Sequence, residues 1–174
     1  MENNKILIFM EEVINIREIF PSEYSLLQDF LYEAIFLPEG VAPPPRDIVF
    51  HPELRIYFAD FGSQKGDVAV VATASERIIG AAWARIINDY GHIDDQTPSL
   101  SISLYSEYRS QGIGTKLFRY LLDKLATEGY KKASLSVQKA NYASEMYLKM
   151  GFYIIKENED DYVMVIDLNV TNTH

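Results

Sequence analysis

The sequence predicts a mixed α/β domain whose sheet is mostly antiparallel with one parallel pair, and three observations carry that prediction. Leu100, Ile102 and Leu104 alternate with Ser101 and Ser103 at the period of a half-buried strand. From Ile113 the period changes, and Leu117, Phe118, Leu121, Leu122 and Leu125 form a stripe at helical spacing before Ala133–Val137 alternates again. A right-handed crossover through that helix makes the two strands parallel. Second, the apolar run Val68–Ala72 and the segment Ile78–Ile87 flank a turn at Ser75–Arg77, as in a hairpin. Third, Phe152–Ile155 and Tyr162–Asp167 flank the polar run Glu157–Asp161 as a closing hairpin.

Taken in order, Ile6–Met10 is an apolar run that extends the first strand or forms a separate edge segment, and Val13–Ile19 alternates as a strand. Pro21 and Ser22, the latter an N-cap candidate, open a helix buried along Leu26, Leu27, Phe30, Leu31 and Ala34. Leu37–Arg46 contains three consecutive prolines that enforce extended backbone. Pro52 starts a further helix, with Leu54, Ile56, Tyr57, Phe58 and Phe61 packing on one side and Gly62 ending it. Val68–Ala72 is apolar almost without interruption, as a central strand requires. Gly80, inside the partner strand, marks a bulge or a close backbone approach. Asn88–Pro98 is a wide turn, Met146, Tyr147 and Met150 mark one side of a short helix ended by Gly151, and Thr171–His174 is expected to fray.

At 174 residues and 48% hydrophobic composition the chain suits one domain spanning residues 1–174 with a sizeable core. It has no cysteine, which removes disulfides, thiolate metal sites and cysteine nucleophiles and is compatible with a cytoplasmic location. No signal peptide or membrane span is read. Net charge is −9, yet residues 105–140 carry Arg109, Lys116, Arg119, Lys124, Lys131, Lys132 and Lys139 against Glu107, Asp123 and Glu128. A polyanionic ligand is drawn to that segment, while the acidic remainder disfavours nucleic acid and tolerates an amine.

Between the 100–104 strand and the next helix lies Arg109-Ser110-Gln111-Gly112-Ile113-Gly114. Glycines there let a ligand approach the backbone, and the first helical turn presents unpaired N–H groups, so the stretch reads as a phosphate site. No Gly-x-x-x-x-Gly-Lys-Ser/Thr run exists, and Leu117 stands where a dinucleotide fingerprint needs its third glycine. The pattern Arg/Gln-x-x-Gly-x-Gly/Ala fits in full. It resembles the acetyl-CoA pyrophosphate loop of the GCN5-related N-acetyltransferase (GNAT) family. Asn141-Tyr-Ala143-Ser-Glu-Met-Tyr147-Leu-Lys-Met-Gly151-Phe152 resembles that family's other hallmark, an Asn/Ala pair followed by a helix bearing Tyr and closed by Gly-Phe.

The resemblance implies a GNAT-like sheet with its two central parallel strands splayed, helices on both faces, and direct transfer of acetyl from acetyl-CoA to an amine of a small molecule or peptide. It implies that the backbone of Ile102, Ser103 and Leu104 pairs with the pantetheine arm. The loop Arg109, Ser110, Gln111, Gly112, Ile113, Gly114 and Thr115 would hold the pyrophosphate, and Asn141 would steady the cofactor. Tyr147 matches the tyrosine placed near the thioester sulfur. No metal, nucleic acid or membrane partner is expected, and a homodimer is left open. Relatives often carry Glu near the start of the central strand, where this chain has Ser99, and proline is common where it has Ser106. Glu33, Glu39, His92, Asp94 and Asp95 remain as base candidates, and Glu39 and Arg46 as substrate contacts. A catalytically weak CoA-binding sensor stays open as the alternative to an enzyme.

Overall fold

The computed structural model describes residues 12–169, so the readings at Ile6–Met10 and Thr171–His174 lie outside the described residues. The elements are β1 (Ile14–Glu18), α1 (Leu27–Ala34), α2 (Pro52–Arg55), β2 (Val68–Ala74), β3 (Arg77–Arg85), β4 (Ser99–Leu104), α3 (Ile113–Thr127), β5 (Lys132–Gln138), α4 (Ala143–Met150), β6 (Tyr153–Glu157) and β7 (Asp161–Asp167). They build one seven-stranded sheet in the order β1-β2-β3-β4-β5-β7-β6. Every neighbouring pair is antiparallel except β4 and β5.

Alternation sorts the core into two layers. On one face Val68, Val70, Ala72 and Ala74 of β2, with Leu100 and Leu104 of β4, meet Leu117, Phe118, Leu121 and Leu125 of α3 and Tyr147 of α4. On the other, Ala69, Val71, Ala81 and Trp83 meet Leu27, Phe30 and Leu31 of α1 and Phe61. Burial on both faces explains why β2 reads as an unbroken apolar run. It also explains the serines of β4. Ser103 faces α1 and its hydroxyl donates to the Phe30 carbonyl, so the polar side of that strand is buried rather than wet.

Two details differ from the sequence reading. Ser22 is not the cap. The chain enters α1 through a 3-10 stretch, Pro21–Leu26, and the Glu23 carboxylate takes the Phe20 N–H at 2.9 Å while bridging Arg17 at 2.8 Å. The second helix is a single turn, Pro52–Arg55, and the chain then runs through tight turns to Gly62 (φ 91°). That irregular segment needs partners for its carbonyls. Buried Arg85 donates to the Ile56 and Ala59 carbonyls and forms a two-point ion pair with Asp67, and Trp83 Nε1 donates to the Tyr57 carbonyl at 3.0 Å. Gly80 serves both functions expected of it. The β2/β3 register slips beside it, and an added Cβ would overlap the Leu104 side chain of β4.

Candidate functional site

The site begins where the sheet fails to close. β4 and β5 share one register pair, Ser99 with Ser134, beside a hydrogen bond from the Ser134 N–H to the Pro98 carbonyl at 3.0 Å. Beyond it the strands part. β4 continues against β3 from Ser99 to Leu104, and β5 continues against β7 from Lys132 to Gln138, each by its other edge. The facing edges, including the backbone of Ile102, Ser103 and Leu104, therefore lack a strand partner among the described residues, and unpaired edge groups are a template for an extended ligand.

At the mouth of this gap the chain turns through Ser106–Tyr108 into the glycine loop. Ser110 (φ 60°) and Gly112 (φ 81°) are left-handed, and consecutive N–H groups then point outward around a concavity. Among the described residues, none of the N–H groups from Ser110 to Thr115 is donated to another backbone carbonyl, and helix bonding starts with Lys116 to Gly112. The side chains behave oppositely. Arg109 donates to the Leu104 carbonyl and to Glu33 of α1, and Gln111 donates to the Glu107 carbonyl, so both turn inward and brace the loop. Ile113 is buried in the core and offers only its N–H. A Cβ on Gly112 would touch no described residue, and one on Gly114 would meet Leu104 at an ordinary 3.7 Å. Gly112 is required by its φ, whereas nothing among the described residues requires Gly114.

Across the gap, Asn141 Oδ1 accepts the Ala143 N–H at 2.9 Å and so starts α4. Tyr147 is buried against Phe118 and Phe152, with ring centroids 5.5 and 5.6 Å away. Its hydroxyl holds no hydrogen bond to a described residue yet is not sealed from solvent, and burial pushes its pKa up to about 12. Between α3 and α4 lies a cleft of about 330 Å³ lined by Thr115, Arg119, Tyr142, Glu145 and Lys149 among others.

The family model for "Acetyltransferase (GNAT) family" matches residues 28–152, a span that contains the gap, the loop and α4. The chain belongs to the GNAT acetyltransferase family. It is 30% identical over 101 residues to the probable N-acetyltransferase san of Drosophila melanogaster, a match covering 57% of this chain and 54% of that protein, so it spans about half the length of this curated relative. Among solved structures it resembles the PaiA N-acetyltransferase of Thermoplasma acidophilum in complex with coenzyme A, at a TM-score of 0.66, 19% identity, 89% of this chain and 99% of that one. It also resembles YncA of Salmonella typhimurium, a putative acetyltransferase with acetyl-CoA, at 0.65, 16%, 90% and 94%. Both likenesses show the GNAT fold.

Within this GNAT domain the acidic candidates form no single cluster among the described residues. Glu33 pairs with Arg109 and Arg46, Glu39 is exposed on the proline loop, Asp94 accepts the Gln96 N–H in its own turn, and Asp95 is exposed beside His92. Arg46 lies over the Tyr32 ring and pairs with Asp29 and Glu33. Sequence reasoning passed over Asp89. Its carboxylate accepts the Ser99 hydroxyl at 2.7 Å and the Tyr57 hydroxyl at 3.0 Å, which places a carboxylate at the first residue of β4, beside the Ser99/Ser134 pair. Burial raises its pKa, opposed by those two hydrogen bonds, by the residue's own backbone N–H and by the nearby His92. The available signal was Ser99 itself, a buried hydroxyl in need of an acceptor.

Proposed function

We propose that the chain is an acetyl-CoA-dependent N-acetyltransferase that passes acetyl directly to an amine of a small molecule or peptide. The observation that carries this reading is the β4 edge, unpaired above Ser99 among the described residues and roofed by a loop whose N–H groups meet no described backbone carbonyl. The edge at Ile102–Leu104 suits the amides of a pantetheine arm. The N–H groups of Ser110–Thr115 and the dipole of α3 suit a pyrophosphate. Arg109 and Gln111 contribute by holding the loop's shape, and Asn141 by fixing the start of α4 beside the cofactor. Arg119 and Lys149 in the adjoining cleft suit further phosphate.

Tyr147 is the group proposed to meet the departing sulfur. A phenol near 12 facing a thiol near 8.5 would have to lose its proton about 5 kcal/mol uphill. It therefore acts by donating a hydrogen bond to the thiolate as the C–S bond breaks, a charge present only in the transition state and product. Calorimetry with acetyl-CoA, run beside transfer assays on polyamines, amino acids, aminoglycosides and peptide N-termini, tests the proposal. Binding with turnover on one class is the expected result. Binding with none would favour the sensor, and absence of binding would overturn both readings.

A further inference from the structure

We propose that Asp89 is the proton acceptor for the attacking amine, which gives this chain a base from the β3–β4 connection where its central strand has serine. The inference rests on the acetyl-transfer reading and extends it. Three segments converge to hold the Asp89 carboxylate: Ser99 Oγ from β4, the Tyr57 hydroxyl from the turns after α2, and the turn closed by the His92 N–H on the Asp89 carbonyl. The two hydroxyls take one lone pair on each oxygen and the residue's own backbone N–H takes another, which still leaves acceptor capacity on a carboxylate with about four lone-pair sites, and the side chain is half-buried rather than sealed. Ser99 is the β4 half of the only register pair joining β4 to β5, so the carboxylate stands at the apex from which the gap opens.

Among the described residues the surroundings are charge-poor apart from His92, whose Nε2 lies 3.6 Å from the exposed carboxylate of Asp95. Arg85, opposite Ser99 in the register, is bound to Asp67. Tyr90, near Tyr57, donates to Glu53 at 3.0 Å. From β5, Ser134 donates to the Gly91 carbonyl and contributes no charge. The His92 imidazole lies within electrostatic reach of Asp89, with its buried Nδ1 unbonded among the described residues. An ammonium at the apex would thus find one ionised, partly desolvated carboxylate ready for it.

The proton balance is complete without another reagent. The substrate ammonium gives one proton to the Asp89 carboxylate. The neutral nitrogen attacks the thioester carbonyl carbon, the C–N bond forms, and the C–S bond breaks with its electron pair leaving on sulfur. The second nitrogen proton ends on the thiolate, and Asp89 returns the first to solvent.

The test is the pH dependence of kcat/KM on the best amine, with acetyl-CoA affinity measured alongside. The base works ionised, so activity falls as pH drops through its pKa. Asp89→Asn should lower kcat by about 10²-fold or more and leave acetyl-CoA affinity within about twofold. Ser99→Ala and Tyr57→Phe each remove a donor to the ionised carboxylate, so each should move the acidic limb to higher pH. A folded Asp89→Asn protein with wild-type kcat, or acidic limbs unmoved in both hydroxyl variants, overturns the assignment while acetyl transfer stands. Should Asp89→Asn not fold, the two hydroxyl variants decide alone. Wild-type protein that transfers acetyl to no amine defeats the underlying reading and this one with it.

Discussion

The mouth and the apex of the β4/β5 gap are built on opposite plans. At the mouth the side chains of Arg109 and Gln111 turn inward and the backbone faces out, in a run contiguous from Arg109 to Thr115. At the apex the backbone is committed to the single β4/β5 link, and the outward chemistry is carried by Asp89, Ser99 and Tyr57, drawn from three separated segments. A contiguous backbone site suits a ligand whose phosphates never change. A side-chain site tied together through loops can be altered residue by residue, which fits a fold that keeps its donor and varies its acceptor.

The strongest way to break this comparison is Tyr147→Phe, which touches neither region. If its hydroxyl serves the leaving sulfur, kcat should fall by about 100-fold with acetyl-CoA affinity nearly unchanged. Its raised pKa of about 12 means that the group keeps its proton across the ordinary assay range, so the profile should show no alkaline limb that vanishes in the variant. A folded variant with wild-type kcat would remove Tyr147 from the chemistry.

Next in size is a pair of glycine changes at the mouth. Gly112→Val puts a β-branched residue at φ 81° in otherwise open space, a strain of about 1–3 kcal/mol that the loop relieves by changing shape. Acetyl-CoA affinity should fall by about 10- to 100-fold in calorimetry, with a melting temperature within a few degrees of wild type. Gly114→Ala meets no described atom closer than 3.7 Å and carries no unusual φ, so the fold should not register it. Any loss of affinity there reports a ligand against the backbone. Unchanged affinity in both variants would move the phosphate site elsewhere.

At the apex the matching change is Gly91→Ala. Its Cβ would lie 3.1 Å from the Leu135 carbonyl carbon and the Ser136 nitrogen, backbone atoms that cannot give easily. The Asp89–His92 turn should be displaced from β5, lowering kcat by about 3- to 10-fold, since small misplacements at a reacting centre are costly. Affinity at the mouth should hold. Equal losses in both would show that the two regions are not separable.

The same contrast decides what could be read from the sequence. The mouth was legible because a glycine loop between a period-2 strand and a 3.6-period helix is written in consecutive residues, and Tyr147 was legible because Asn141, Gly151 and Phe152 set its register. Both parallel strands and the hairpins followed from alternation. The apex was not legible, because no periodicity tells a reader that Asp89 folds back on Ser99 and that a tyrosine from beyond α2 joins them. The single turn of α2 escaped for a related reason. Its apolar residues suggested a longer helix, while buried Arg85 held the following carbonyls in tight turns. Ser22 failed as a cap because Glu23, one residue on, reaches both Arg17 and the Phe20 N–H.

The smallest expected effect belongs to that last group, and it serves as the control for the others. Glu23 is held below the ordinary carboxylate range, first by its hydrogen bonds to Arg17, against the opposing effect of burial, then by the Phe20 N–H. A lowered pKa in the folded state means that ionised Glu23 stabilises the fold above its unfolded pKa, and that this is lost as pH falls through the folded value. The pair is part-exposed, its two side chains 32% and 20% accessible, so solvent screening keeps its contribution to roughly 0.5–1 kcal/mol. Glu23→Gln should therefore lower stability by about that much near neutral pH, and the difference from wild type should close in acid, where the carboxylate is protonated in both states. Urea titrations at neutral and acidic pH measure it. Acetyl-CoA affinity and kcat should not move, because Glu23 is tied to β1, the edge strand that β2 and β3 separate from β4. If either followed stability in this variant, the losses expected for Gly112→Val and Gly91→Ala would be reporting a loosened fold, and the separation of mouth from apex would have to be measured at matched stability.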